Sequence, residues 1–553
     1  MIRLGASLVR AWPACAVVAL AGSRAAAQQP AVPLPEPAVR YDDDLLPAAF
    51  HRSRRDSALT ALPDHAFAVI LSAPGRNREN DVSYEYRQSS DLYYLTGTHE
   101  PSSVLFLAPG GIEVDGVTVR ELLLVPPRNP DSERWTGRRF GAERAQRVLG
   151  IEKVVTTDRF EEILSTLVEQ GRRMYHLPLP TAVAPGTELD RQVAAIKEKV
   201  PILEFGGDRM SAFMADRLLS VDDEESLSAA RGMLERVGVE RFAGSPLEEL
   251  VAAFLQAQSL DDWLRWRDEH VDRRYADGRT LRERLDELRM VKTDEELRLL
   301  RRAVEITAAA HREAMRSIEP GMFEYEVEAL VEYVFRRNGA EYPGFPSIIG
   351  SGENSVILHY ETNRRRMEAG DMVVMDIGAE YHGYTADVTR TVPVSGRFSA
   401  EQKAIYDIVL RAQEAGIREA RAGNPFSAPH RAARAVISQG LRELGLIDSA
   451  AGTGRFFMHG TSHYVGLYVH DVGTSGPLVA GSVITVEPGI YISPSHDVDP
   501  KWWNIGIRIE DDVLITDGDP VVMSAAVPRT VQEIEAMMKE TGLGNLPAGR
   551  LPR

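Results

Sequence analysis

The chain has 553 residues, more than one hydrophobic core usually organises, and its 44% hydrophobic and 26% charged residues exclude a disordered or low-complexity protein. Its 64 Lys and Arg against 81 Asp and Glu leave a formal charge of −17, which opposes a partner that is itself a polyanion, whether nucleic acid or anionic membrane. The single cysteine, Cys15, lies in the first segment, so the remainder holds no disulfide, and any metal must be bound by oxygen and nitrogen donors.

In chain order, residues 1–27 read as a secretory signal. Arg3 and Arg10 supply a positive region, AWPACAVVALAG (11–22) a short apolar run, and Ala25-Ala26-Ala27 a small-residue cleavage pattern. The expectation is an exported protein, periplasmic or secreted, and a cytoplasmic one if the signal reading fails. The run is too short to span a bilayer, and no later stretch is long and apolar enough, so no membrane span is expected. Residues 28–41 are proline-rich and read as a linker.

From 42 to 205 short apolar runs bounded by Gly, Pro and Asp alternate with short helical stretches. AFAVILSA (66–73), SSVLFLAP (102–109), ELLLVPP (121–127) and PILEF (201–205) are the predicted strands. Residues 206–292 are rich in helix formers and read as a helical insertion or connector. Trp263 and Trp266 there share one helix face, which favours core packing over a dimer contact, and DDEES (222–226) reads as a solvated helix start.

A third region spans 293–540, followed by a tail, 541–553. Thr293 with Glu296 and Ser399 with Gln402 are capping boxes that open amphipathic helices, the first stopping before Pro320. A helix between them buries Val327, Leu330, Val331 and Val334 and stops at Asn338-Gly339. The strands are MVVMDIGAEY (372–381), YTADVTRTVPV (384–394), VITVEPGIYI (483–492) and GIRIEDDVLIT (506–516). Interleaved helices and antiparallel strands make this an α+β domain.

Asp376, Asp387, Glu487 and Glu510 sit within these otherwise apolar strands, and burying an ionised carboxylate is costly unless a cation compensates it. His382-Gly383 is a plausible hairpin turn, which would set Asp376 and Asp387 face to face with Cβ atoms roughly 5 Å apart. Two bare carboxylates at that distance repel; a divalent metal removes the conflict. The hairpin that carries Glu487 and Glu510 repeats the arrangement and suggests an internal pseudo-twofold with the site on its axis. In FFMHGTSH (456–463), Gly460 and Thr461 stand where the zincin pattern needs its glutamate, so only His463 is read as a ligand and His459 is left near the substrate. Five donors, oxygen-rich with one imidazole, fit two divalent ions such as manganese, with zinc, cobalt or iron as alternatives. Asp511 and Asp512 read as solvated or hydrogen-bonded rather than ligating, His382 as an exposed turn residue, and His311 and His430 as structural. Trp502-Trp503 either borders the site or packs a loop.

VVMDIGAEYHGYTADVTRTVPV, FFMHGTSHYVGLYVHDVG, TVEPGIYI and GIRIEDDV resemble the blocks of the pita-bread metallopeptidases, and of the aminopeptidase P family in particular. RNRENDVSYEYRQSSDLYYLTGTHEP (76–101) and PPRNPDSERWTGRRFG (126–141) independently resemble the N-terminal α/β domain of aminopeptidase P and prolidase. The resemblance implies metal ligands at Asp376, Asp387, His463, Glu487 and Glu510. It implies substrate-contacting histidines at His359, His470 and His459, and an arginine, Arg508, that orients a metal carboxylate. It also implies an exopeptidase that releases the residue in front of proline from peptides with proline in second position. There a metal-bridging hydroxide would attack while Glu487 moves the proton, and the family's habit of self-association implies a homo-oligomer. The alternatives are a prolidase restricted to dipeptides, a methionine aminopeptidase, which the N-terminal domain opposes, and a metal-free binding protein on the same fold.

Overall fold

The apolar run Ala66–Leu71 is buried along its whole length, and it lies inside a five-stranded sheet. A computed structural model of the chain describes residues 41–199, 209–245, 247–270 and 279–545, and Asp43–Arg553 cluster as one unit. The signal and linker readings, the PILEF strand and the end of the tail fall outside the described residues. The sheet runs in the order Lys153–Thr156, Val117–Val125, Val104–Val114, Ala66–Leu71, Arg173–His176. Its three middle strands are antiparallel and its two edge strands join in parallel. Phe67, Val69 and Leu71 pack with Phe160, Ile163 and Leu167 of the Phe160–Glu169 helix, so a strand covered on both faces reads as a continuous apolar run.

The region after the sheet is helical over Arg209–Leu219, Glu224–Val237, Glu248–Gln256, Leu260–His270 and Arg279–Met290. Trp263 is fully buried in its core, edge-on to Phe254 at 4.8 Å and stacked on Trp266 at 5.6 Å, so the pair is a packing contact. Asp223 caps the Glu224–Val237 helix, as the acidic run suggests.

Two helix pairs frame the C-terminal region. Asp294–Ser317 packs on Glu324–Arg337, and Ala400–Glu419 on Ala428–Glu443. The capping boxes at Thr293 and Ser399 form as read. Gly440 lets the second pair approach closely, since a Cβ there would lie 2.6 Å from Ile408. Between the pairs lie short antiparallel ladders, and three of the four carboxylates sit at the breaks between ladders rather than inside strands. Asp376 is within Met372–Ile377, but Asp387 falls between Tyr384–Thr385 and Val388–Pro393. Glu487 falls between Val483–Val486 and Gly489–Ile492, and Glu510 between Ile505–Arg508 and Asp511–Leu514. The physical reason is convergence: a regular ladder points its side chains perpendicular to the sheet, whereas a break lets donors from different ladders turn to one point.

The two hairpins also differ. His382 and Gly383, with φ 49° and 85°, form the expected two-residue turn. This register sets Asp376 opposite Thr389, so the two aspartates are diagonal rather than face to face. Gly378 makes the approach possible, because a Cβ there would lie 1.8 Å from the Ala386 carbonyl oxygen. In the other hairpin Val486 pairs with Asp511 and Gly489 with Arg508, a register that carries Glu487 directly opposite Glu510.

His382 is not an exposed turn residue. It is 2% exposed, with Nδ1 2.6 Å from Glu341 Oε1 and Nε2 2.7 Å from Asp44 Oδ1, while the Tyr381 hydroxyl donates to Asp44 Oδ2 at 2.8 Å. Burial alone lowers the pKa of this imidazole, but its two carboxylates outweigh burial and hold it above the usual value. Burial likewise raises Glu341 and Asp44, yet Glu341 is held below its usual range by His382, and Asp44 by Tyr381 and His382. The histidine's share of stability is therefore full below the unfolded imidazole pKa of about 6.5 and is lost as pH rises through the higher folded value. The carboxylates' share is full above their unfolded pKa of about 4 and is lost as pH falls through the lower folded values. His382→Asn keeps a residue that tolerates the left-handed backbone, and it should lower Tm most between about pH 4.5 and 6.5 and progressively less toward pH 9. Thermal melts across that range check this; a pH-independent loss would refute the ion-pair account.

Candidate metal centre

Ligand atoms of Asp387, His463 and Glu510 lie within 4.8 Å of one another. His463 Nε2 is 3.4 Å from Asp387 Oδ2 and 3.6 Å from Glu487 Oε1. Asp376 completes the group, near enough to Asp387, Glu487 and Glu510 to oppose ionisation of each. Four carboxylates, one carried by a strand and three by ladder breaks, and one imidazole carried by a loop thus converge as the five residues singled out from the sequence.

Local structure explains each placement. Thr385, Asp387, Thr389 and Thr391 alternate along one face, and Thr485 and Glu487 do the same. The His463 backbone N–H donates to Thr485 Oγ1 at 3.1 Å, and the Thr485 N–H donates to the His463 carbonyl at 2.9 Å, fastening the histidine loop to the glutamate strand. His463 Nδ1 donates to the Tyr464 carbonyl at 3.2 Å, which holds the ring with Nε2 toward the carboxylates. The Asp387 N–H donates to Asp512 Oδ2 at 3.1 Å.

Arg508 is the buried cation behind this cluster. It donates to Asp376 Oδ2 at 2.7 Å, to Thr389 Oγ1 at 3.2 Å and to the Tyr491 hydroxyl at 2.9 Å. Thr389 passes the contact on to Glu510 Oε2 at 2.6 Å, and Tyr491 passes it to His459 Nε2 at 2.9 Å. The orienting role read for Arg508 has this geometric basis.

The electrostatics call for more positive charge than one guanidinium. Burial, then the neighbouring carboxylates, pushes Asp387 and Glu510 well above the usual carboxylate range. Burial raises Glu487 to about 7 against the pull of His463 and Arg508, and raises Asp512 to about 8. Among the described residues, the buried Oδ1 atoms of Asp376 and Asp387 have no hydrogen-bond partner, although such atoms are nearly always satisfied. Hard oxygen donors, one imidazole and orphaned carboxylate oxygens are a donor set that fits divalent cations.

The other histidines divide. His470 packs edge-on against His463 with ring centroids 4.4 Å apart, and burial, then His463 and His359, disfavour its protonation. His459 donates from Nδ1 to the Gly460 carbonyl at 2.6 Å, with that nitrogen 3.6 Å from Glu487, so it lines the same site. His311 is fully buried, bonded to the Val388 carbonyl at 2.9 Å and pushed down to about 3 mainly by burial, so it is neutral and structural. His430 bonds Thr461 Oγ1 at 2.9 Å. Asp511 and Asp512 are fully buried and hydrogen-bonded, not solvated; Arg390 donates to Asp511 at 2.7 Å and Ser524 at 2.6 Å. Trp502 is buried in the core and Trp503 is partly exposed.

Sequence reading missed three supporting residues. Thr389 and Tyr491 are two and four residues past Asp387 and Glu487, and strand alternation would have placed them on the ligand face. Glu324 carried no such signal. It is fully buried and accepts from Ser351 N–H at 2.8 Å, Ser351 Oγ at 2.7 Å, Asn354 Nδ2 at 3.2 Å, Tyr360 hydroxyl at 2.9 Å and Arg365 N–H at 2.8 Å. It pins both ends of the loop that carries His359.

Comparison with known proteins agrees with this geometry. Residues 298–517 match the model of metallopeptidase family M24, and residues 51–175 that of the aminopeptidase P N-terminal domain. The chain is 35% identical over 497 residues to Xaa-Pro aminopeptidase of Escherichia coli (strain K12), an alignment covering 88% of this chain and 96% of that protein. It is 36% identical over 299 residues to Xaa-Pro dipeptidase of Homo sapiens, covering 46% of this chain and 60% of that protein. The solved aminopeptidase PepP of Pseudomonas aeruginosa superposes with a TM-score of 0.70 at 32% identity, over 90% of this chain and 98% of that one. With a pita-bread domain following an aminopeptidase P-type N-terminal domain, and a carboxylate-rich site built for the divalent ions on which that peptidase class relies, the chain belongs to the aminopeptidase P family of M24 metallopeptidases.

Proposed function

We propose that this protein is an Xaa-Pro aminopeptidase that hydrolyses the bond between the N-terminal residue of a peptide and a following proline. The observation that carries the reading is the convergence of Asp376, Asp387, His463, Glu487 and Glu510 with orphaned oxygens on both aspartates, in a chain alignable with nearly the whole of an Xaa-Pro aminopeptidase. These five side chains would hold two divalent ions, and their hard, oxygen-rich character favours manganese. When bound, such ions supply Lewis acidity toward the scissile carbonyl and lower the pKa of an attacking water.

The chain's own residues do the rest. Glu487 takes the proton of the attacking water at Oε2, the oxygen turned toward His459. His470 and His359, each on its own loop, donate to the developing oxyanion or to the leaving proline nitrogen. Arg508 holds Asp376 through its guanidinium and Glu510 through Thr389, so the donors need little reorganisation during the reaction. Proline suits such a site because its ring fixes φ and its amide carries no N–H.

Dipeptide specificity is the competing reading, favoured by the identity to Xaa-Pro dipeptidase but by less than half of this chain. Cleavage of Arg-Pro-Pro and Gly-Pro side by side separates the two. Strong turnover of the tripeptide with little of the dipeptide is expected, abolished by a chelator and restored by manganese; turnover of the dipeptide alone would move the assignment to prolidase. Glu487→Gln should lower kcat by about 10²–10⁴-fold with an unchanged circular dichroism spectrum. Substantial activity of that variant at full metal loading would refute the proton-transfer role. Glu324→Gln should lower kcat by about tenfold or more through the His359 loop, measured at saturating tripeptide, while metal content stays unchanged.

A further inference from the structure

The loop 464–471, which ends at His470 and Asp471, is held from outside the catalytic region. Within the loop, the Asp471 N–H donates to the Tyr464 carbonyl at 2.8 Å and the Gly466 N–H to the Tyr468 carbonyl at 3.1 Å. The Leu467 N–H donates to Asp471 Oδ2 at 3.3 Å, so the carboxylate closes the loop on itself. Its other oxygen is ion-paired with Arg289, and Lys292 Nζ lies 3.4 Å from Oδ2. These three side chains are each 1% exposed. Arg289 closes the last helix before the catalytic region, and its second nitrogen donates at 2.7 Å to Asp91 on the Ser90–Thr96 helix of the N-terminal domain. Arg282 donates to the other Asp91 oxygen at 2.6 Å. The same N-terminal segment reaches the loop a second time: Arg87 donates to the Leu467 carbonyl at 2.6 Å and Ser90 Oγ at 3.0 Å, while Arg87 also binds Glu380 at 2.8 Å. Arg87 and Arg289 both lie over the Tyr468 ring, at 5.0 and 5.4 Å. There is no slack beneath the loop, since a Cβ on Gly466 would lie 2.1 Å from Asp471 Oδ2 and 3.0 Å from Lys292 Nζ.

We infer that Arg289, bridging Asp91 of the N-terminal domain to Asp471, is a positioning residue for His470, so that the N-terminal domain and the connector helix set the geometry of the active site. A buried charge retained between two carboxylates is a costly way to gain stability and an effective way to specify one arrangement. Here the arrangement it specifies places His470 edge-on to His463. The inference rests on the peptidase reading only in taking His470 as a group that touches substrate.

The test uses the metal-loaded full chain. Arg289→Lys keeps the charge but cannot bridge two carboxylates with a planar fork, and Asp91→Asn removes the remote anchor while leaving Asp471 both of its cations. In the wild-type background each variant should lower kcat on Arg-Pro-Pro by about ten- to a hundredfold, with KM changed far less. In a His470→Ala background each should change kcat by less than about twofold, because the group through which they act is gone. Equal losses in both backgrounds would overturn the inference. A second readout does not depend on activity. Amide exchange at Gly466, Leu467 and Asp471 should quicken in both variants, while the Thr485 and Glu487 amides keep their protection. Unchanged exchange at the loop amides would equally overturn it. A wild-type chain inactive on the tripeptide, with the exchange pattern as expected, would instead locate the failure in the substrate assignment.

Discussion

Like-charge repulsion among Asp376, Asp387, Glu487 and Glu510 is the constraint around which the catalytic region is arranged. Two unit charges 4 Å apart repel by about 4 kcal/mol at the effective dielectric of a partly buried site, and a group of four multiplies the pairs. The Arg508 guanidinium bonds one of them, Asp376, directly and reaches Glu510 through Thr389. Divalent cations reverse the sign of the whole sum, which is why a donor set that would destabilise an apo-site becomes a binding site. The ladder breaks at 387, 487 and 510 follow from the same requirement, because side chains that must meet at one point cannot all remain in regular register.

Histidine chemistry in this protein is assigned by environment rather than by residue type. His311 is buried with one backbone acceptor and without a facing carboxylate strong enough to offset burial, so it stays neutral. His382 is also buried but lies between Glu341 and Asp44, which favour its charged form, and it ties the hairpin turn to the start of the described chain. His463 is oriented by a backbone carbonyl so that its Nε2 meets the carboxylates. His459 is kept neutral by burial and by Arg508, its Nε2 accepting from Tyr491. The side chain is the same in four places, and its partners differ in each.

The N-terminal domain is tied into this site by ionic contacts, of which the Arg289 pairs are buried and those of Arg87 and Asp44 are partly exposed. Arg87 to Glu380, Arg289 to Asp91 and Asp471, and His382 to Asp44 all cross between sequence regions hundreds of residues apart. Such pairs are poor stabilisers when compared with apolar packing, but they are directional. Direction is what the loop bearing His470, the proposed substrate-contacting histidine, needs.

The five donors, the helical stretch 209–270, both capping boxes and the strand run at 66–71 were legible in the sequence, because each rests on local signals: composition, a three-residue cap spacing, a period of two or 3.6. Thr389 and Tyr491 were legible in principle from the same alternation. Nothing local marks Glu324, whose five donors come from a loop almost thirty to forty residues further on, or Arg289, whose carboxylates stand about two hundred residues away on either side. The diagonal offset of Asp376 and Asp387, and the burial of His382, also came only with the fold, since register and burial depend on which strands and helices meet. The sequence alone therefore determined the chemistry of the ligand set, which resides in residue types, while the tertiary structure decided which charges are paired, because pairing is set by distances between segments that the chain brings together only on folding.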